Sequence, residues 1–429
     1  MNPFEAKQET KDHGLGLCVV VVLFLFVLSA VMFASISLRP IKAEASGGAA
    51  PTVVGTPGCG GPISVFHTPT LHSYFAGIAL GANSSMWFIE DLSNSIGEIT
   101  PSGVITEWPV PNVGSSADGI ALGSDKNMWF AERYGNKIAK ITPSGVITEW
   151  PVPNANVDTA KQEGGLGRIA LGGDGDIWFT YENRNSGGFV GKVTPAGVFT
   201  EFKIPVDRNN LFLGALASGG ADSMWFVKST STGNKIVKIT PSGSMIEYRE
   251  PDDRSSVGSM VLGPDKNMWL SEGGSDIYKI TPSGGFTKYS ASVSNSNYPS
   301  GIVVGPDGNL YATNSTNIER ITLNGLFTQF PISLPAETGL TSPSDLAFAK
   351  DGSVWFTTGL GGAIGRLDLK AAKAKPTCGA TPSPRATVKP PKTHSSDFRW
   401  IVLVALLLIV VGLVIRFRKR IEQAIRRQQ

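Results

Sequence analysis

The chain has 429 residues, of which 41% are apolar and 17% charged, which supplies a sizeable core and excludes wholesale disorder. The net charge of +3 is unevenly spread: residues 46–369 carry net −8, residues 370–399 net +6 and residues 416–429 net +5. The basic excess therefore lies outside the bulk of the chain, so no nucleic-acid partner is expected. Four His and three Cys leave too few ligands for a clustered His/Cys zinc site.

Residues 1–45 contain the first apolar run. Leu15 to Leu38 is uncharged over 24 residues, about 36 Å as a helix. Lys7 and Lys11 precede it, and Ala43-Glu44-Ala45 offers signal peptidase a small-x-small site. Two readings stay open: a signal peptide cleaved after Ala45, or a retained signal anchor. Residues 46–61 read as a Gly/Pro/Ala linker.

Residues 62–369 are a repeat. One unit runs Gly119-Ile-Ala-Leu-Gly-Ser-Asp-Lys-Asn-Met-Trp129-Phe-Ala-Glu132, then Asn136-Lys-Ile-Ala-Lys-Ile-Thr142-Pro-Ser-Gly145-Val-Ile-Thr-Glu-Trp150-Pro. Its inner aromatic recurs at Trp87, Trp129, Trp178, Trp225, Trp269, Tyr311 and Trp355, at intervals of 42, 49, 47, 44, 42 and 44 residues. Seven such units of four short strands predict an all-β, seven-bladed propeller. In the second unit the strands fall near Gly119–Leu122, Met128–Ala131, Lys137–Ile141 and Ile147–Pro151. A helical solenoid is excluded, because apolar residues alternate with period 2 and Pro interrupts every unit.

An outer aromatic appears in only six units, at Trp108, Trp150, Phe202, Tyr248, Tyr289 and Phe330. The seventh unit stops near Leu369 without a fourth strand. Ile63-Ser-Val-Phe66-His67 matches the register of Ile105-Thr-Glu-Trp108-Pro109. Phe66 is thus expected to supply the missing ring, and the N-terminal strand to complete blade seven and hide both edges. Cys59 and Cys378 flank that seam. A disulfide between them is the preferred reading on an extracytoplasmic domain, with two unpaired thiols as the alternative.

Residues 370–399 form a Pro-rich basic linker. Trp400 to Ile415 is a second apolar run of 16 residues, flanked by Arg399 and Arg416; it reads as a transmembrane helix of about 24 Å with snorkelling ends. Residues 416–429 carry six basic side chains. The positive-inside rule puts this tail in the cytoplasm and the propeller outside the cell membrane.

The unit quoted above resembles the repeat of the virginiamycin B lyase (streptogramin lyase) family over about residues 62–369. The resemblance implies lyase opening of a cyclic depsipeptide, a divalent metal, usually magnesium, and His at the start of blades with Glu on the same face. The matching starts here are Phe75-Ala-Gly77, Ala117-Asp-Gly119, Gly167-Arg168, Leu213-Gly214, Gly258-Ser259, Pro299-Ser-Gly301 and Pro343-Ser-Asp345, and none carries His. His67 lies on the closing strand. His72 precedes blade one and could reach the same mouth. The Glu lane reads Glu90, Glu132, Tyr181 with Glu182 next, Lys228, Glu272, Asn314 and Thr358. Glu90, Glu132, Glu182, Lys228, Glu272 and Asn314 are expected to ring the mouth as ligand or metal candidates. The Asp-x-Asn turns at Asp125, Asp265 and Asp307 read as hairpin turns rather than calcium loops. The leading expectation is a membrane-anchored module binding a small molecule, peptide or cell-surface partner. The second is a metal-assisted lyase or hydrolase using Glu132, Glu272 and other rim carboxylates. The third is a structural role at the cell surface.

Overall fold

The computed structural model describes residues 63–70, 74–112, 116–156, 165–183, 186–205, 211–230, 233–251, 257–272, 276–290, 301–314, 317–332, 342–358, 362–370 and 375–376. Both apolar runs, both linker cysteines and His72 lie outside these residues. Among the described residues no helix is long and apolar enough to cross a membrane.

Seven antiparallel sheets follow one another in chain order. In the second, the strands are Ala117–Leu122, Met128–Glu132, Lys137–Ile141 and Ile147–Pro151, within two residues of expectation. The seventh blade takes its outer strand from the other end of the chain. Ile63–His67 pairs with Ala363–Leu367, Phe66 opposite Ile364. Blade six gains a fifth, two-residue strand, Lys375–Pro376, paired with Thr328 and Gln329. The chain beyond blade seven thus runs back along the outer edge of blade six, which the repeat pattern did not indicate.

The period-2 alternation sorts each second strand into two faces. Met128 and Phe130 pack with Trp87, Trp108 and Val110 of blade one. Trp129 and Ala131 pack with Leu166, Ile177 and Phe179 of blade three. Inner and outer aromatics pair in every blade: Trp87–Trp108, Trp129–Trp150, Trp178–Phe202, Trp225–Tyr248, Trp269–Tyr289, Tyr311–Phe330 and Phe66–Trp355 are stacked.

The turn between the third and fourth strands locks onto the preceding blade. Gly145 sits at φ +83°, and a Cβ there would meet the Trp108 indole nitrogen at 1.9 Å. Only glycine satisfies both the backbone and the space. The Asp-x-Asn turn serves the inner aromatic. The Asp125 carboxylate accepts from the Trp129 indole at 3.0 Å, the Asn127 backbone N–H at 3.2 Å and the Lys140 ammonium at 2.9 Å. Asp265 and Asp307 bind Trp269 and Tyr311 in the same way. These carboxylates are committed to the fold, as the hairpin reading requires.

Candidate functional site

Six blades begin with a break in strand register: Phe75/Gly77, Asp118/Ile120, Leu166/Ile169, Leu213/Leu216, Val257/Ser259 and Pro343/Leu346. A bulge adds a residue to one strand and re-aims its side chain. Arg168 and Ala215, from the bulges of blades three and four, line both a mouth cavity of about 370 Å³ and a smaller adjoining one of about 130 Å³, called the neck. Asp118 borders the mouth, and Asp345 borders the neck with Gly77, Gly119 and Gly258. The mouth carries two further carboxylates, Asp91 and Glu182, a second cation, Arg133, and two exposed rings, Tyr74 and Phe212.

Every carboxylate here is engaged. Asp118 Oδ2 pairs with Arg133 at 3.6 Å. Glu182 Oε1 accepts the Leu213 N–H at 2.8 Å. Asp345 accepts the Leu346 N–H at 2.9 Å and, from blade one, the Ile78 N–H at 3.3 Å. Asp91 is bonded by Ser116. Burial raises the pKa values of Asp91, Glu182 and Asp345 above the usual carboxylate range. Asp118 adds to the rise at Asp91 and Asp345, while Arg133 opposes it at Asp91 and Glu182 and Arg168 at Asp345.

Of the six residues expected to ring the mouth, only Glu182 lines the cavity. Glu90, Glu132, Lys228, Glu272 and Asn314 are buried, between 0% and 3% exposed. The alternation explains their placement. Glu132 lies on the same face as Met128 and Phe130, against blade one, where its Oε2 accepts from Asn112 at 3.5 Å. Glu149, on the outer strand, is its acidic neighbour and binds Lys137 at 2.9 Å. Lys228 similarly meets Glu247 of its own outer strand at 2.6 Å, and Asn314 meets Glu319 at 2.9 Å. In blades two and four the lane residue meets the outer strand, and in blade six the neighbouring third strand. His67 sits on the closing strand opposite Ala363 and does not line either cavity.

A magnesium ion does not fit this donor set. No group of three or more His, Cys, Asp or Glu side chains among the described residues is arranged to hold a metal. Glu132 and Glu272 lie inside the blades, and the mouth carboxylates already accept from protein donors. The residues that face the axis, Asp118, Arg168 and Asp345, were visible in sequence as the occupants of the positions where His was sought.

Fold and site define a seven-bladed propeller with an axial cavity lined by charges of both signs. The profile of the Virginiamycin B lyase family matches residues 50–229 and 155–378, and the chain belongs to that family. Among solved structures it is similar to virginiamycin B lyase of Staphylococcus aureus, at 27% identity and TM-score 0.62 over 72% of this chain and 99% of that one. A streptogramin B lyase structure matches at 27% identity and TM-score 0.61, over 71% of this chain and 97% of that one. A catalytically inactive His-to-Ala variant of the S. aureus enzyme with quinupristin matches at 28% identity and TM-score 0.62, over 72% and 99%. No curated protein matches the chain.

Proposed function

We propose that the protein is a membrane-anchored, extracytoplasmic propeller that binds a ligand or partner at its mouth and does not open streptogramin rings. The observation that carries this reading is the set of residues at the blade starts. The bulges bring Asp118, Arg168 and Asp345 to the axis, and no blade start carries His. In the S. aureus relative, a His-to-Ala change yields a catalytically inactive protein. Among the described residues no imidazole lines either cavity, so the His-type base that the inactive variant of the relative points to is not found among them. The mouth still has the size of a ligand site and the mixture of apolar rim and converging polar groups that such sites show.

The test is incubation of the full-length chain with quinupristin, with and without magnesium, alongside a family lyase. No ring-opened product above background is expected. Magnesium-dependent opening at the lyase's rate would overturn the proposal and favour the metal-assisted alternative.

Topology is checked separately. Six basic residues after Ile415 predict a cytoplasmic C-terminus. Protease added to intact cells should remove the propeller and spare a tag placed after Gln429. Loss of that tag from intact cells would reject the arrangement.

A further inference from the structure

The hydrogen-bond inventory of the mouth is lopsided. Its acceptors are taken, as described for Asp91, Asp118, Glu182 and, in the neck, Asp345. Its donors are not. The Arg168 guanidinium lines the cavity, makes no hydrogen bond to a described residue and meets Asp345 through charge. Arg133 Nε is buried and has no partner among the described residues. Thr180 is 0% exposed and lines the cavity, and its Oγ1 also has no partner there.

The Thr180 hydroxyl departs from the pattern of the fold. The same position on the second strand holds Ser271, Thr313 and Thr357 in blades five to seven. There the hydroxyl accepts a backbone N–H from the start of the first strand: Ser259 at 3.0 Å, Gly301 at 3.1 Å and Asp345 at 3.2 Å. In blade three that bond is not made. The residue opposite is Gly167, where an added Cβ would stand 3.0 Å from Thr180 Oγ1. The missing side chain leaves the hydroxyl beside the cavity. Buried polar groups are almost always paired, so unpaired donors converging on one cavity call for a ligand that brings acceptors.

We propose that the mouth binds a small monoanionic carboxylate with an aromatic or apolar body, its carboxylate oxygens taken by Arg168, Arg133 and the Thr180 hydroxyl. A guanidinium matches a planar carboxylate through two parallel N–H bonds. The four carboxylates nearby repel a dianion, which disfavours a phosphate group. Tyr74 and Phe212, 44% and 53% exposed at the rim, offer apolar faces to the body of the ligand. The cavity of about 370 Å³ has room for one such molecule of amino-acid size.

This inference rests on the mouth being a ligand site, and the two can fail separately. The probes are N-acetylphenylalanine, its neutral amide, phenylalaninamide, which carries a positive charge and no carboxylate, and inorganic phosphate. Each is titrated calorimetrically into the full-length chain. N-acetylphenylalanine is expected to bind saturably, with a Kd on the order of 1 mM for a ligand of this size. It should bind at least tenfold more tightly than either amide or phosphate. Arg168→Gln should weaken it tenfold or more. Thr180→Val should weaken it several-fold, and it should leave the fold intact, since Val227 occupies the same position in blade four. Tighter binding of phenylalaninamide or phosphate would overturn the carboxylate and leave a mouth ligand of another charge. Unchanged affinity in folded Arg168→Gln would overturn the assigned anchor. Absence of saturable binding by all four probes would overturn the inference outright, whereas the binding-module reading falls only on quinupristin turnover.

Discussion

Phe66→Ala should cost about 3–5 kcal/mol, the range for removing a large buried aromatic, and the damage should concentrate at the closure of the ring. Phe66 is 7% exposed and stacks on Trp355 at a centroid distance of 5.3 Å and an interplanar angle of 18°. It also spans two blades, because a Cβ on Gly103 of blade one would meet its ring at 2.4 Å. Other outer aromatics sit on strands continuous with their blades. Among the described residues the strand bearing Phe66 is held to Ala363–Leu367 by pairing and packing, so its loss opens two sheet edges at once. Hydrogen exchange should show Ile63–His67 and Ala363–Leu367 losing protection together, well before the sheet of blade three. Phe330→Ala is the comparison, since Phe330 lies on a strand continuous with blade six. Equal, uniform loss of protection in both variants would show that Phe66 has no special part in closure.

The repeat made that closure legible in advance. A missing seventh ring and a matching Ile-x-x-Phe segment upstream were enough to place Phe66, because stacking and register repeat with the sequence. The site was less legible for the same reason. Polar residues at the end of each second strand repeat as regularly as the aromatics, and their positions beside Trp suggested a ring at the mouth. Two-fold alternation instead turns Glu132 and Lys228 into the blade, where outer-strand residues Glu149 and Glu247 meet them. What faces the axis is set by the bulge at each blade start. A bulge leaves no composition signal beyond a Gly or an odd residue count, so Arg168 and Asp345 stood in plain view without an assigned direction. Thr180 could have been singled out only by asking which hydroxyl at the position before the lane lacks its backbone partner, and that requires coordinates.

Placement of Glu132 inside the blade carries a consequence for stability that a rim position would not. Burial, with Glu149 alongside, pushes its pKa up to about 9 from an ordinary 4.5, with Lys137 and Asn112 opposing. The folded state therefore holds a proton between these two values that the unfolded chain releases. Stability should fall as pH rises from about 4.5 towards 9, because over that range the native state binds the more protons. Glu132→Gln imitates the protonated carboxyl, keeps an acceptor for Asn112 and presents an amide donor to Glu149. The variant should match the parent near pH 4 and exceed it at pH 9 by on the order of 2–3 kcal/mol, a figure kept below the full shift because the buried site relaxes around the charged form. Lys137 pairs with Glu149 at 2.9 Å and is present in parent and variant alike, so the contrast reports on Glu132. Denaturant melts of parent and variant at pH 4, 7 and 9 measure it directly. Parallel stability curves, with the variant neither gaining nor losing between pH 4 and 9, would show that Glu132 titrates as a solvated carboxylate and would remove the buried pair from blade two.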